Sequence, residues 1–472
     1  MALHHLTRWM PARLLAVADR LRGQAGGEGA GERLATGRMA LSAFAVRVVG
    51  AGIAYLSQIL LARVMGDFEY GIFAVVWVWV TLGAALTNLG FSTSVIRFIP
   101  EYRLRDEIGH VRGVLVGSRL LGVVLATVIA GAGALGVWAL RDVVSSYYVL
   151  PFVLAAACLP LFVLTDIQDG IARAFDWRQL ALQPTYIWRP LLIIVFMVGA
   201  SLAGAPSTAV TACLSAIAAT WLTAVAQLLI VGRRMRTIVP AGARAFDFRF
   251  WLRISFPIFL VDAFFALLTG SDVLVVAQFL PPDQVAIYFA ASKTLAIVHF
   301  VFFAVRTTTA SEFSKYYHTG NDEALVRLVR DAVRLSFWPS LAVGVMVLAA
   351  GHYLLLLFGP AFVSGIGALA ILVVGIVARS SVGPMETLLT MTGEQKWCAA
   401  VFATAFFANL AMSVLLIPRF GLYGAALSTS LAMMLEAFLA ALVAYHRLGL
   451  KVFVFSPGGI GRARPRQERA TT

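Results

Sequence analysis

Five basic residues interrupt long apolar stretches of this sequence, and they are its first candidates for chemistry. A cation at the centre of a membrane costs about 2.5–3.5 kcal/mol on the insertion scale, so each must face a partner or water. Guanidinium and ammonium groups that line a water-filled cavity bind anionic groups through charge-assisted hydrogen bonds. The five candidates for an anion-binding, cationic cavity are Arg47, Arg119, Arg189, Lys293 and Arg379.

Two structural alternatives apply to these cations. Any of them could instead form an ion pair with a buried acidic residue. Arg119 stands near a predicted helix end, from which a long side chain can reach the membrane surface. Arg47 and Arg189 lie further from helix ends, and Arg189 is flanked by Trp188 and Pro190. An arginine in a broken, aromatic-flanked helix suits a water-filled cavity that holds an anion.

Carboxylates in similar stretches are candidates for coupling to an ion. Asp272 follows Thr269, Gly270 and Ser271, and a carboxylate with hydroxyl neighbours in a membrane helix suits a proton or sodium site. Asp262 precedes it in the same stretch. We therefore predict Asp272 or Asp262 as the ion-coupling residue. Pairing of Asp272 with a buried cation stays open as the alternative.

Nothing in the sequence indicates covalent chemistry. The seven histidines have no metal-ligand spacing, and neither a nucleophile motif nor a glycine-rich phosphate loop is present. Cys158, Cys213 and Cys398 stand in apolar stretches, where we expect them to pack in the core. We expect no catalytic residue, no metal, no cofactor and no enzyme activity.

The composition indicates a membrane protein. Hydrophobic residues make up 60% of the 472 positions and charged residues 13%, against about 25% charged in an ordinary soluble domain. The mean hydropathy of +0.85 excludes a soluble enzyme and a disordered protein. The net charge of +14 does not indicate a nucleic-acid partner, because no soluble basic face exists to carry one.

Apolar stretches of about 20 residues predict an all-α polytopic membrane protein with about twelve transmembrane helices. Charges or glycine and proline turns bound each stretch. The predicted spans are 38–62, 72–96, 113–139, 147–167, 180–202, 208–231, 252–279, 285–309, 333–357, 362–387, 397–417 and 422–445.

The positions of lysine and arginine predict the orientation. With the N-terminus in the cytoplasm, nearly all cations outside the spans fall in cytoplasmic segments, including Arg306 at the start of the loop 306–334. Only Arg63, Arg141 and Arg419 fall on the opposite side, as the positive-inside rule expects. Both termini are therefore predicted to be cytoplasmic.

Weak internal similarity divides the chain into two six-helix halves. Gly71–Ala74 corresponds to Ala286–Phe289, and Ala212–Ser215 to Ala425–Ser428, although chance similarity between apolar helices is the alternative. Halves with an even number of spans are parallel repeats, related by an axis along the membrane normal. The predicted regions are a basic amphipathic segment and linker (1–37), an N-terminal lobe (38–232), a basic cytoplasmic linker (233–251), a C-terminal lobe (252–447) and a disordered basic tail (448–472).

Three motifs resemble those of polysaccharide-transporter flippases. Leu61–Gly66 (LARVMG), followed by Tyr70–Phe73 (YGIF), resembles the junction of the first two helices in that family. Leu416–Ala426 (LIPRFGLYGAA) resembles its C-terminal signature. The last motif is typical of a wider superfamily that also holds lipid II flippases and multidrug exporters.

The resemblance implies a fold and a function. Two six-helix bundles would form a V that opens alternately to either side of the bacterial inner membrane. A cationic central cavity would take the pyrophosphate and sugars of a polyprenyl-linked oligosaccharide and leave the lipid tail in the membrane. The cargo would serve lipopolysaccharide or exopolysaccharide biosynthesis, with a polymerase and glycosyltransferases as partners and H⁺ or Na⁺ as the coupling ion.

Two other functions remain open at this stage. A drug or cation antiporter of the same superfamily should have an acidic or aromatic cavity, and the excess of buried cations argues against it. A membrane polysaccharide polymerase should have a large external loop with catalytic side chains. The predicted external loops are too short for that.

Overall fold

The computed structural model describes residues 30–142, 145–456 and 461–462. Helices account for 87% of the described residues, so the predicted all-α fold is confirmed. The predicted amphipathic segment over residues 1–29 lies outside the described residues. Helix α1 begins at Ala30, so the predicted start of the first helix at residue 38 is eight residues late.

Helix α1 (Ala30–Thr87) contains a sharp break at Gly66. A straight helix of its 58 residues would be about 87 Å long, nearly three times the hydrocarbon core of a bilayer. Gly66 has φ 78° and ψ 175°, a conformation that glycine adopts without steric cost. The break divides α1 into two spans at the turn that the sequence predicts.

The N-terminal lobe continues with seven further helices and one π-helical turn. Its helices are α2 (Phe91–Leu104), α3 (Ile108–Ala139), α4 (Ser146–Ala156), α5 (Leu159–Ala174), α6 (Arg178–Gln183), α7 (Arg189–Leu202) and α8 (Ala209–Ile238). The π-helix Pro184–Trp188 joins α6 to α7. Helices α4 and α5 form one bent pair with an angle of 43° between them.

The C-terminal lobe has a similar succession of helices. They are α9 (Phe248–Phe279), α10 (Pro282–His318), α11 (Asp322–Leu356), α12 (Ile366–Ser380), α13 (Met385–Met391), α14 (Gln395–Phe420) and α15 (Leu422–Val443). The 3₁₀ turn Pro360–Gly365 precedes α12, and the π-helix Ala444–Leu448 follows α15.

The number of spans agrees with the sequence prediction. In the described part of the chain, ten helices are long and apolar enough to cross a membrane, and the bent pair makes an eleventh. The first of the ten, Val46–Leu104, is the one that Gly66 divides, which makes twelve. The two repeat segments Ala212–Ser215 and Ala425–Ser428 both lie in the first turns of the last long helix of their lobe.

Two boundaries differ from the sequence prediction. The linker between the lobes spans only residues 239–247, because α8 continues as a helix to Ile238 and includes the arginines that were expected in the linker. Asp247 caps α9 by accepting a hydrogen bond from the Phe250 amide at 3.1 Å. In the described part of the predicted tail, Leu450 and Val452 are each only 2% exposed, and Leu450–Lys451 pairs with Gly461–Arg462 as β1 and β2.

The two ends of the bundle are named here by their turns. The Gly66 end holds the turns at Gly66, 203–208, 280–281 and 357–359, and the linker end holds those at 105–107, 175–177, 239–247 and 319–321. The lobes meet where α1 packs against α9 and α10. Gly71 lies so close to the Pro282 carbonyl that a side chain there would collide with it.

Candidate functional site

Aromatic and hydroxyl contacts join the two lobes along the part of their boundary nearer the Gly66 end. Tyr55 of α1 shares a hydrogen bond of 3.0 Å with Thr294 of α10. Tyr70 is fully buried, with its ring centroid 5.9 Å from that of Phe289 and 6.1 Å from that of Phe362. These contacts join opposite lobes at this end.

Three arginines meet at the boundary nearer the linker end, and we call them the arginine cluster: Arg47, Arg173 and Arg306. Arg47 interacts electrostatically with both of the others. Its guanidinium lies 4.6 Å from the centroid of the Phe303 ring, across the boundary on α10. Arg173 and Arg306 are exposed although they face the interior of the bundle, so this part of the boundary is a cleft accessible to water.

Asp262 is the acidic member of the cleft. Its carboxylate accepts a hydrogen bond from Thr93 of α2 at 3.2 Å and interacts electrostatically with Arg173 and Arg306. The three guanidinium groups outnumber the two carboxylates next to them, Asp262 and Glu386, so the cluster keeps a net positive charge. Guanidinium groups bind phosphate oxygens through paired, charge-assisted hydrogen bonds. One side of the cleft is closed by α9, whose Ser255 hydroxyl donates to that of Ser94 at 2.7 Å.

A chain of ion pairs supports Arg306 from within the C-terminal lobe. Arg306 lies 2.6 Å from Glu386, which also pairs with Arg379 at 3.3 Å. Arg379 in turn lies 2.8 Å from Glu436. Arg379 is only 4% exposed, whereas the Arg306 side chain is 44% exposed. The structure thus places Arg379 behind the cleft and Arg306 in it.

Arg306 is predicted as a cytoplasmic cation at the end of the span 285–309, but it lies deeper in its helix than that. Helix α10 continues to His318, nine residues beyond the predicted end of that span, so Arg306 lies about three turns inside the helix. Arg173 lies in the last turn of α5. The available signal was the spacing of Phe302, Phe303 and Arg306, which places an arginine beside aromatic residues on one helix.

Two predicted cavity residues lie in the N-terminal lobe. Arg189 is 4% exposed, and its guanidinium carbon lies 4.0 Å from the centroid of the Phe162 ring. It interacts electrostatically with Asp166 and Asp169 of α5. Arg119 of α3 has its Nε and Nη2 atoms buried without a hydrogen-bond partner among the described residues. Neither residue joins the arginine cluster.

Lys293 and Asp272 lie together in the C-terminal lobe. The Tyr288 hydroxyl donates to Asp272 at 2.7 Å and shares a second hydrogen bond with Thr429 at 3.0 Å. Lys293 interacts electrostatically with Asp272, and its ammonium lies 4.6 Å from the centroid of the Phe289 ring. The predicted site residues therefore form separate groups, and only Arg47 and Asp262 lie in the same cleft.

The chemistry that these groups can perform is binding. Across the described ranges, no group of three or more histidine, cysteine, aspartate or glutamate residues could hold a metal ion. The free cysteines Cys158, Cys213 and Cys398 are buried, as predicted. The three guanidinium groups of the cleft are thus groups that can bind an anion.

Comparisons with known proteins identify relatives across most of the chain. The family described as "Polysaccharide biosynthesis protein" matches residues 37–316. A Shigella flexneri protein described as "Putative O-antigen transporter" is 23% identical over 405 residues, which cover 80% of this chain and 90% of that protein.

Solved transporter structures share the fold. An inward-facing multidrug resistance transporter of the MATE family, in the MOP superfamily, superposes with a TM-score of 0.70 at 16% identity and covers 86% of this chain and 98% of its own. The lipid II flippase MurJ, in an inward closed conformation, gives a TM-score of 0.67 at 13% identity and covers 86% and 87%. At these identities the likeness concerns the arrangement of helices.

Proposed function

Because the chain belongs to the family of polysaccharide biosynthesis proteins, we propose that it is a flippase for an anionic polyprenyl-pyrophosphate-linked oligosaccharide. It is a multi-pass membrane transporter of the O-antigen and polysaccharide type, in the superfamily of the multidrug transporters and the lipid II flippase, and not an enzyme. We propose the identity of the lipid-linked cargo, the route by which it crosses the membrane and the residue that couples transport to an ion.

The arginine cluster is the observation that carries this proposal. Arg47, Arg173 and Arg306 come from α1, α5 and α10, so an anion bound between them contacts both lobes. A pyrophosphate offers several oxygens, each able to accept from a guanidinium. A cationic drug would instead be repelled by the net positive charge of this cleft, which disfavours the antiporter alternative.

The orientation follows from the positive-inside distribution. We place the linker end in the cytoplasm of a bacterial inner membrane, together with both termini, and the Gly66 end outside. The cargo then enters the cleft from the cytoplasmic side, where glycosyltransferases would supply it. Closure of the linker end and opening of the Gly66 end release it to the far side, where a polymerase would use it.

The remaining predicted residues receive indirect or later roles in this scheme. Arg379 positions Arg306 through Glu386. Lys293, Arg189 and Arg119 are proposed to meet the cargo's charged or sugar groups as the lobes rearrange. Asp262 competes with the anion for the cluster, and Asp272 is the proposed ion-coupling residue in the Tyr288–Thr429 network.

The test is translocation in proteoliposomes that contain the purified full chain. A polyprenyl-pyrophosphate oligosaccharide in the inner leaflet should become accessible to an externally added glycosidase. Arg47→Ala should reduce the rate at least about tenfold, because one charge-assisted contact is worth about 1.5–3 kcal/mol. Export of cationic dyes without movement of the lipid-linked sugar would instead establish the drug-exporter function.

A further inference from the structure

A second polar cluster lies inside the N-terminal lobe, away from the contacts that join the two lobes. Asp169 of α5 accepts hydrogen bonds from Gln227 at 2.6 Å and from Thr185 at 2.9 Å. Asp166, one turn earlier, and Arg189 interact with it electrostatically. We call these five residues the lobe cluster. They come from α5, the π-helix, α7 and α8, so the cluster ties the centre of the lobe together.

The lobe cluster is incomplete in its hydrogen bonding. Arg189 is 4% exposed, yet its Nε and Nη2 atoms have no partner among the described residues. The Oε1 atom of Gln227, which is 1% exposed, is also without one. A buried polar atom without a partner costs about 1–3 kcal/mol, and ordered water commonly supplies the missing bond. Unpaired donors and acceptors this close together therefore indicate bound water between Arg189 and the carboxylates.

The backbone at the cluster is also unusual. The π-helix Pro184–Trp188 lies directly before Arg189 and contains Thr185. A π-helical turn is wider than an α-helical one, is uncommon, and occurs often at functional sites. Here it brings the Thr185 hydroxyl onto Asp169 and also places Arg189 over Phe162. The π-helical turn thus sets the positions of Thr185 and Arg189 relative to α5.

Charged side chains face the two carboxylates from their own helix and from the neighbouring helices α1 and α7. Arg189 faces them from α7, Arg173 faces Asp166 from their own helix, and Arg47 faces Asp169 from α1. The Cys158 thiol interacts with Arg189. Arg47 and Arg173 also belong to the arginine cluster, so Asp169 lies between a buried arginine and the water-accessible cleft. Water in the cleft can therefore exchange protons with the lobe cluster.

We propose that the lobe cluster is a hydrated proton-binding site in which Asp166 and Asp169 take up one proton from the water of the cleft. The proton binds a carboxylate oxygen, and no other bond forms or breaks. A metal cation is disfavoured by the adjacent guanidinium of Arg189. A proton requires no coordination shell, and Gln227 and Thr185 hold Asp169 in place in either state.

Proton binding here also affects the cleft, and this step rests on the proposed function. Neutralising Asp169 removes a negative charge that interacts with Arg47, so an anion binds to the arginine cluster more tightly. By thermodynamic reciprocity, the anion in turn favours the proton. Proton and anionic cargo are therefore cooperative ligands of this lobe.

Infrared difference spectroscopy of the full chain in lipid membranes tests the site without transport. Titration with acid should produce a protonated-carboxyl band that is lost in Asp169→Asn or Asp166→Asn and retained in the control Asp331→Asn, which removes an exposed carboxylate. Asp169→Glu, which keeps the charge, should shift the band if the Asn variants fail to insert. A band unchanged in all the Asp166 and Asp169 variants would overturn the proposal. A band that changes when choline in the buffer is replaced by sodium would also overturn it, because the site would then bind sodium.

Binding of inorganic pyrophosphate, measured by calorimetry, tests the coupling separately. The unmodified chain should bind it about tenfold more tightly when the lobe cluster is protonated, because neutralising Asp169 removes a negative charge that interacts with Arg47. Asp169→Asn should abolish this pH dependence beyond the titration of pyrophosphate itself. Equal affinity in both states would overturn the coupling, while loss of pyrophosphate binding altogether would count against the proposed function.

Discussion

Arg63 of the N-terminal lobe donates hydrogen bonds to the end of α11 in the C-terminal lobe, with its Nε atom 2.7 Å from the Leu357 carbonyl oxygen. Its Nη2 atom lies 2.6 Å from the carbonyl oxygen of Leu356. The last carbonyls of a helix have no partner within it and carry the negative end of the helix dipole. A cation from one lobe thus caps a helix of the other, and the bundle cannot open at the Gly66 end without breaking this contact.

Arg63→Ala should shift the protein toward a state that is open at the Gly66 end. Because Arg63 is exposed, we expect its two hydrogen bonds to contribute about 1 kcal/mol, or about a fivefold change in the population. Spin labels at the exposed positions Phe68 and Tyr353 should show a longer distance component. Arg141→Ala is the matched control, since Arg141 is an exposed arginine predicted on the same side. Identical distance distributions in both variants would remove Arg63 from the closure.

Arg306→Ala should reduce translocation about tenfold or more while the protein remains folded. The side chain is 44% exposed, so its loss leaves Glu386 paired with Arg379 and causes little loss of stability. Flux in proteoliposomes and thermal unfolding in detergent give the two readouts. Arg327→Ala is the control, because Arg327 is an exposed arginine that pairs only weakly with Glu323 at 3.5 Å. Equal flux in the two variants would exclude Arg306 from cargo binding.

Arg379→Gln should destabilise the protein by about 3 kcal/mol or more, because it leaves Glu386 and Glu436 buried close together without their shared cation. Removing one negative charge as well, in Arg379→Gln with Glu436→Gln, should recover most of the stability. The measurement is thermal unfolding of the detergent-solubilised chain. A single variant with unchanged stability but abolished flux would show that Arg379 contacts cargo, as the sequence alone predicts.

The sequence predicts the number of spans well because each span carries its own signal. Length and hydropathy mark a helix locally, and Gly66 marks the first break by its conformational freedom. The even number of spans per half then predicts two parallel lobes. These inferences need no knowledge of which helices touch.

The candidate site is predicted less completely because it depends on how helices rotate against one another. Arg379 is paired by residues 7 and 57 positions away, a relationship that no local pattern contains. Arg306 was misplaced because α10 continues past the apolar stretch as a polar helix. Arg47 is predicted as a cavity residue because a cation so far inside a span has few other places to go, and it lies at the boundary between the lobes, 4.6 Å from the centroid of the Phe303 ring.

Asp272→Asn should make translocation insensitive to the coupling ion while cargo binding persists. Asp272 is 8% exposed, accepts a hydrogen bond from Tyr288 and interacts electrostatically with Lys293. Replacing the carboxylate by an amide keeps its shape, so the fold should survive. Flux measured under opposed pH and sodium gradients should lose its dependence on one of them. Tyr288→Phe, which removes only the hydroxyl, is the matched control and should retain that dependence.

The variant Asp262→Asn tests which of the two predicted residues, Asp262 or Asp272, couples transport to the ion. Asp262 faces Arg173 and Arg306 in the cleft, so its neutralisation leaves more positive charge for an anion. We expect tighter cargo binding and slower release, with the ion dependence intact. The readout is the concentration dependence of flux: a lower half-saturating cargo concentration together with a lower maximal rate. If Asp262→Asn instead abolishes the ion dependence and Asp272→Asn leaves it unchanged, the coupling residue lies in the cleft, because the ion then competes there directly with Arg306 for the same carboxylate.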